Sequence, residues 1–148
     1  VQLQTRTGSD SDTQRRRDGR SAVQLTYVQQ STGAVTFEGD VTPPVDLIRW
    51  PVTTGASWTQ DFTAGGTRGH RVATVKGTRT IKLPFGSFRC TVIHSRTELS
   101  GDATGTDEQT ACWSAELGMI IDEQRHQQGT YNAVPFELNN HSRLTARS

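Results

Sequence analysis

The chain has 148 residues, with 16 Lys and Arg against 15 Asp and Glu for a formal net charge of +1. That length fits one domain with a core of its own, and near-neutrality argues against a nucleic-acid binder even though Arg outnumbers Lys 14 to 2. Val, Leu, Ile and Phe total only 29 residues; without high net charge this reads as a folded domain with much polar surface, not as disorder, and no apolar run approaches the roughly 18 residues of a membrane-crossing helix.

Residues 1–7 alternate, with Val1, Leu3 and Thr5 on one face, and predict a half-buried strand. Residues 8–20 read as a polar loop carrying Asp10, Asp12, Arg15, Arg16, Arg17, Asp18 and Arg20. Residues 21–30 alternate again through Val23, Leu25 and Tyr27, turn at Ser31-Thr32-Gly33, and return through Val35 and Phe37 as a hairpin. Pro43-Pro44 is expected to break regular structure, and Leu47, Ile48, Trp50 and Val52 then read as an apolar entry segment. From there strands are predicted over residues 58–64, 69–76, 78–83, 88–99, 107–114, 119–125, 131–138 and, briefly, 142–145. The separators are Ala64-Gly65-Gly66, Lys76-Gly77, Pro84-Phe85-Gly86, residues 100–105, Gly118 and Gln128-Gly129. The commonest residue is Thr, with 22 copies, and β-branched Thr suits the solvent face of a strand. No segment keeps a helical period. About ten short strands predict an all-β sandwich or barrel.

Cys90 and Cys112 are the only cysteines. A hairpin turning near Gly101, midway between them, sets them almost opposite each other, at a separation a disulfide can bridge. Such a bond points to an oxidising compartment. No C-x-x-C or H-x-x-x-H spacing supports a metal site instead.

Three short patterns occur in order after Trp50. They are Pro51-Val52-Thr53-Thr54-Gly55-Ala56-Ser57-Trp58, then Gly77 with Ile81-Lys82-Leu83-Pro84-Phe85-Gly86-Ser87-Phe88, then Trp113-Ser114-Ala115-Glu116-Leu117-Gly118-Met119-Ile120. Together they resemble the TapB-like group of secreted or lipid-anchored bacterial β-domains of unknown function, over roughly residues 45–140. The sequence departs from that group in lacking a Pro before Glu116 and in carrying Cys112 and Ser114 where aromatics flank the tryptophan. The resemblance implies an antiparallel, strongly curved sheet held outside the cytoplasm, and it transfers no catalytic residue. It divides a single domain, 1–148, into an N-terminal hairpin region, 1–44, and a family-like core, 45–148, anchored by Trp50, Trp58, Phe88 and Trp113.

The remaining residues offer little chemistry. His70, His94, His126 and His141 fall on different strands and read as rim residues without metal-ligand spacing. Glu98, Glu116, Asp122 and Glu123 are candidate carboxylates, with Glu116 and Asp122 placed at turn or solvent positions. Asp10, Asp12 and Asp18 near Gly19 lack the spacing of a calcium loop. Arg15, Arg16, Arg17 and Arg20 form the densest basic cluster, a candidate contact for an anionic surface or polymer. The chain begins at Val1 and reads as a processed or excised piece. The expectation is a non-enzymatic envelope or surface module, without cofactor or metal. It would act on a protein partner or on itself, with Val1, Leu3 and Thr5 as the strand-pairing edge. The alternative is a carrier of lipid or another small hydrophobic ligand, which needs an apolar cavity of about 300 Å³ or more. An enzyme assembled from scattered residues ranks third.

Overall fold

The structure, a computed structural model, describes residues 2–7, 10–32 and 35–145, with side chains described at 14–31 and 36–145. Ten strands follow one another: β1 (Gln2–Thr7), β2 (Asp10–Asp18), β3 (Ala22–Thr32), β4 (Val35–Arg49), β5 (Ser57–Ala64), β6 (Thr67–Leu83), β7 (Gly86–Gly101), β8 (Ala103–Ser114), β9 (Met119–Tyr131) and β10 (Val134–Arg143). Each pairs antiparallel with its neighbour in sequence, giving one sheet in the order β1 to β10. The described residues contain no helix. The all-β, antiparallel and strongly curved architecture is therefore as expected.

Short turns set this meander. Ala64 and Thr67 pair across Gly65-Gly66, with Gly65 at φ 58°. Leu83 and Gly86 pair across Pro84-Phe85. Val134 and Tyr131 pair across Asn132-Ala133, whose φ values of 48° and 66° mark the left-handed turn that matches strand twist. Four expectations need correction. Residues 10–18 form strand β2, paired to both β1 and β3, and not a loop. Strand β4 runs through Pro43-Pro44. Asp40 faces Tyr27 and Val45 faces Leu25, so the chain between them leaves β3, and Val41 and Thr42 pair with β5 instead. Prolines have no N–H for a ladder, and such a bulge is where a strand tolerates them. Lys76-Gly77 is a bulge within β6, not a turn. Gln128-Gly129 lies inside β9, where Gly129 faces Gly105; a Cβ on either would strike the opposing backbone, so the glycines serve close approach.

The sheet curls until its early and late strands meet. Arg16 on β2 lies 3.7 Å from Glu123 on β9. Phe37 on β4 packs edge-on against Tyr131 of β9 at 5.8 Å, and Trp50 packs against Trp113 of β8 at 6.0 Å. No β1–β10 pairing occurs among the described residues, so the barrel stays open along that seam. Two apolar clusters fill it, and a third lies on the outer face of the sheet. Val28, Val41, Val45 and Ala64 lie toward the Gly65-Gly66 end. Val23, Ile48, Trp58, Ala73, Val75 and Ile93 hold the middle. Ile81, Leu83, Phe88, Ile121 and the bonded pair Cys90–Cys112 pack on the opposite face at the Pro84 end, where Val92 joins them while its neighbour Ile93 faces the middle cluster. Trp58 and Phe88 are core residues as expected and Trp113 is half-buried against the middle cluster, but Trp50 is 39 % exposed and packs on Trp113.

Candidate functional site

Alternation along a strand turns every second residue inward, and the register carries that choice from strand to strand. Gln60, Arg71, Thr97, Asp107 and Gln127 therefore share one row across β5 to β9. Trp58, Ala73, Ser95, Gln109 and Arg125 form the next. Their polar members make a belt beside the apolar cluster that holds Trp58 and Ala73. Its arginines are held differently. Arg125 grips Asp107 diagonally, Nη2 donating to Oδ2 at 2.6 Å and Nε donating to both oxygens. Arg16 donates to Gln14 Oε1 and faces Glu123. Arg71, only 6 % exposed, donates from Nη1 to the backbone carbonyl of Asp46 at 2.9 Å, an acceptor shared with Trp58 Nε1. Burial pulls the Arg71 guanidinium down to about 10, against the opposing pull of Asp107 and Asp46. A cavity of about 100 Å³ opens beside this belt, lined by Arg71, Arg16, Arg125, Asp107 and Glu123 together with aliphatic side chains.

The expected site residues are dispersed. Because residues 10–18 form a strand, the arginine cluster splits between faces. Arg15 stacks over the Tyr27 ring at 4.4 Å, Arg17 donates to Gln24, Arg16 turns into the lumen, and Arg20 stays exposed. Val1 lies outside the described residues, and Leu3 and Thr5 pair with Gln14 and Asp12. The side chains of Asp10 and Asp12 also lie outside them. His94, His126 and His141 share an open groove on the outer face of β7 to β10, each bonded to a different partner: Thr110, Glu137 and Asp122. His70 sits apart, bonded to Asp61. Among the described residues no three ligating side chains converge as a metal site. Glu116 lies exposed between β8 and β9, and Glu98 is exposed on β7. Asp122 corrects its assignment to a solvent position: it is buried under Arg79, His141 and Arg143.

Sequence reasoning missed Arg71, Asp107 and Arg125. The signal was present in β6, where Arg71 occupies the inward parity between Gly69 and Ala73-x-Val75. A charge in an apolar register is the mark of a polar lumen. Cys90 and Cys112 are disulfide-bonded with a Cα separation of 5.3 Å. The hairpin, however, centres on Asp102, so Cys112 faces Val92 and the bond runs diagonally. The disulfide accords with an oxidising environment, and no helix among the described residues is long and apolar enough to cross a membrane. No protein-family model matches the chain, no curated protein aligns with it, and no solved structure matches its fold.

Proposed function

We propose that this chain is a non-enzymatic extracytoplasmic interaction module that joins a second copy of itself by strand addition along β1. The observation that carries this reading is the open seam: among the described residues β1 and β10 are each paired on one side only. The two edges differ. Strand β10 holds Pro135 and exposes Glu137, His141 and Arg143, features that discourage edge pairing. Strand β1 carries no proline and one charge, so its free backbone groups can take a partner strand. The disulfide and the TapB-like resemblance both support a secreted or envelope location.

The carrier reading has less support, since a cavity of about 100 Å³ falls below the roughly 300 Å³ that a lipid or drug-sized ligand needs. Enzyme chemistry has less still: Asp122 is saturated by cations and Glu116 stands alone in a turn. Native mass spectrometry of the full chain tests the proposal. The expected result is a dimer or larger oligomer that becomes monomeric, with its melting temperature nearly unchanged, when residues 1–7 are deleted. A full-length chain that is monomeric, or an oligomer that survives the deletion, overturns it.

A further inference from the structure

We propose that the lumen is a binding site for a small carboxylate, its head held by Arg71 and its apolar end lying against the aliphatic wall of the same cavity. A guanidinium offers five N–H donors in a planar fork. Arg71 places one on the Asp46 carbonyl, and its Nε and Nη2 have no protein partner among the described residues. Leaving such donors unmatched in a buried site is costly, and their fork geometry suits a carboxylate. The carboxylates nearby are already taken. Asp107 is held by Arg125, and the side chain of Asp46 accepts from Gln24 and Arg49. Glu123 faces Arg16 and Gln109.

Charge sets the ligand's class. Three arginines, Arg16, Arg71 and Arg125, line the cavity against two carboxylates, Asp107 and Glu123, leaving one positive charge for a monoanion to neutralise. A dianion such as phosphate would add a charge that both carboxylates repel. Leu47, Ile93, Ala111 and Ile120 supply the apolar wall. Size sets the rest. A cavity of about 150 Å³ admits benzene, so the present cavity of about 100 Å³ suits an acid of about three carbons.

Propanoate is the probe. Titrated into the full ¹⁵N-labelled chain at low ionic strength, it should shift the Arg71 Nε–H resonance saturably. Propanamide, its neutral isostere, should bind at least about tenfold more weakly, the worth of a charge-assisted hydrogen bond. Inorganic phosphate should not move the resonance. Arg71→Gln, which has lost that resonance and is followed at the Arg125 Nε–H of the same cavity, should lose the saturable shift the wild type shows there, and Ala111→Leu, which fills the apolar end and leaves every charge in place, should weaken the Arg71 response at least tenfold. If Arg71→Gln does not fold, the wild-type comparison and Ala111→Leu decide. Absence of a propanoate response overturns the site. Equal response to propanamide overturns recognition of the charge, and equal response to phosphate overturns the carboxylate assignment.

Discussion

Asp122 carries the most concentrated electrostatics on the outer wall. Its side chain is 1 % exposed, with Arg79 Nη2 at 2.7 Å from Oδ2 and with His141 Nε2 and Arg143 Nε at 2.8 and 2.9 Å from Oδ1. Burial is the largest single influence and favours the protonated acid, but the hydrogen bonds and charges of His141 and Arg143 outweigh it and hold the carboxyl below its ordinary value. The sign follows. A carboxyl whose folded pKa is depressed stabilises fully above its unfolded pKa, near 4, and loses that contribution as pH falls through the folded value. Asp122→Ala should destabilise by about 3 kcal/mol at neutral pH, the low end for breaking a buried pair, because Arg79 and Arg143 keep access to water. Urea unfolding should show that difference in full at about pH 5 and shrinking below pH 4; an equal difference at pH 3 would remove the ion-pair account. The sequence pattern suggested a turn or solvent position for Asp122. A register shift falls here, with Cys112 opposite Asp122 and Trp113 opposite Ile120, so Ile121 is extra and the facing of its neighbours changes. A bulge of one residue leaves no mark in an apolar–polar pattern.

Hairpins were legible where turn residues stand between strands and illegible where glycine serves inside one. Gly65-Gly66 and Pro84-Phe85 end strands and were read so. Gly77 at φ 146° permits a bulge, and Gly129 admits the backbone of β8; both were read as turns because a sequence shows a glycine but not which of its uses applies. The β7–β8 hairpin falls between these cases. Its cysteine pair was found from the spacing, while a turn one residue further along made the bond diagonal. Both sulfurs lie in the apolar cluster at the Pro84 end, where reductant has no path without unfolding. Closing a loop of this length stabilises by roughly 3 kcal/mol in the chain-entropy model. The Cys90→Ala/Cys112→Ala protein should therefore lose about 3 kcal/mol by urea unfolding. Alkylation of the native chain should stay nil in reductant and become complete only when urea is added. Alkylation under reductant alone would mean that the Pro84 end opens in the folded state.

At the scale of the molecule, the strand order follows from the sequence but the closure does not. A meander needs only neighbours in sequence to pair, and turn chemistry announces that. Contacts that curl the sheet shut join residues far apart in the chain, and no local pattern encodes which inward residues will meet. Arg16 and Glu123 show the difficulty, for one read as a loop charge and the other only as a candidate carboxylate, and both face the lumen. The pair spans from β2 to β9 at 3.7 Å, with side chains 11 % and 17 % exposed, and so acts as a strut in place of β1–β10 hydrogen bonds. Removing one end leaves the other charge buried. Arg16→Met should then cost about 2 kcal/mol, less than for a fully buried pair because some water reaches it. Glu123→Met should cost a similar amount, since Gln109 gives up its contact with Glu123 as well. The double variant should be less destabilised than the sum of the two by at least about 1 kcal/mol, because two packed apolar chains replace a dehydrated ion pair at little net cost. A double-mutant cycle by urea unfolding measures this coupling. Strictly additive losses would place the closure elsewhere, on the edge-on contacts of Phe37 with Tyr131 and of Trp50 with Trp113, and the charged belt would then line the lumen without holding it shut.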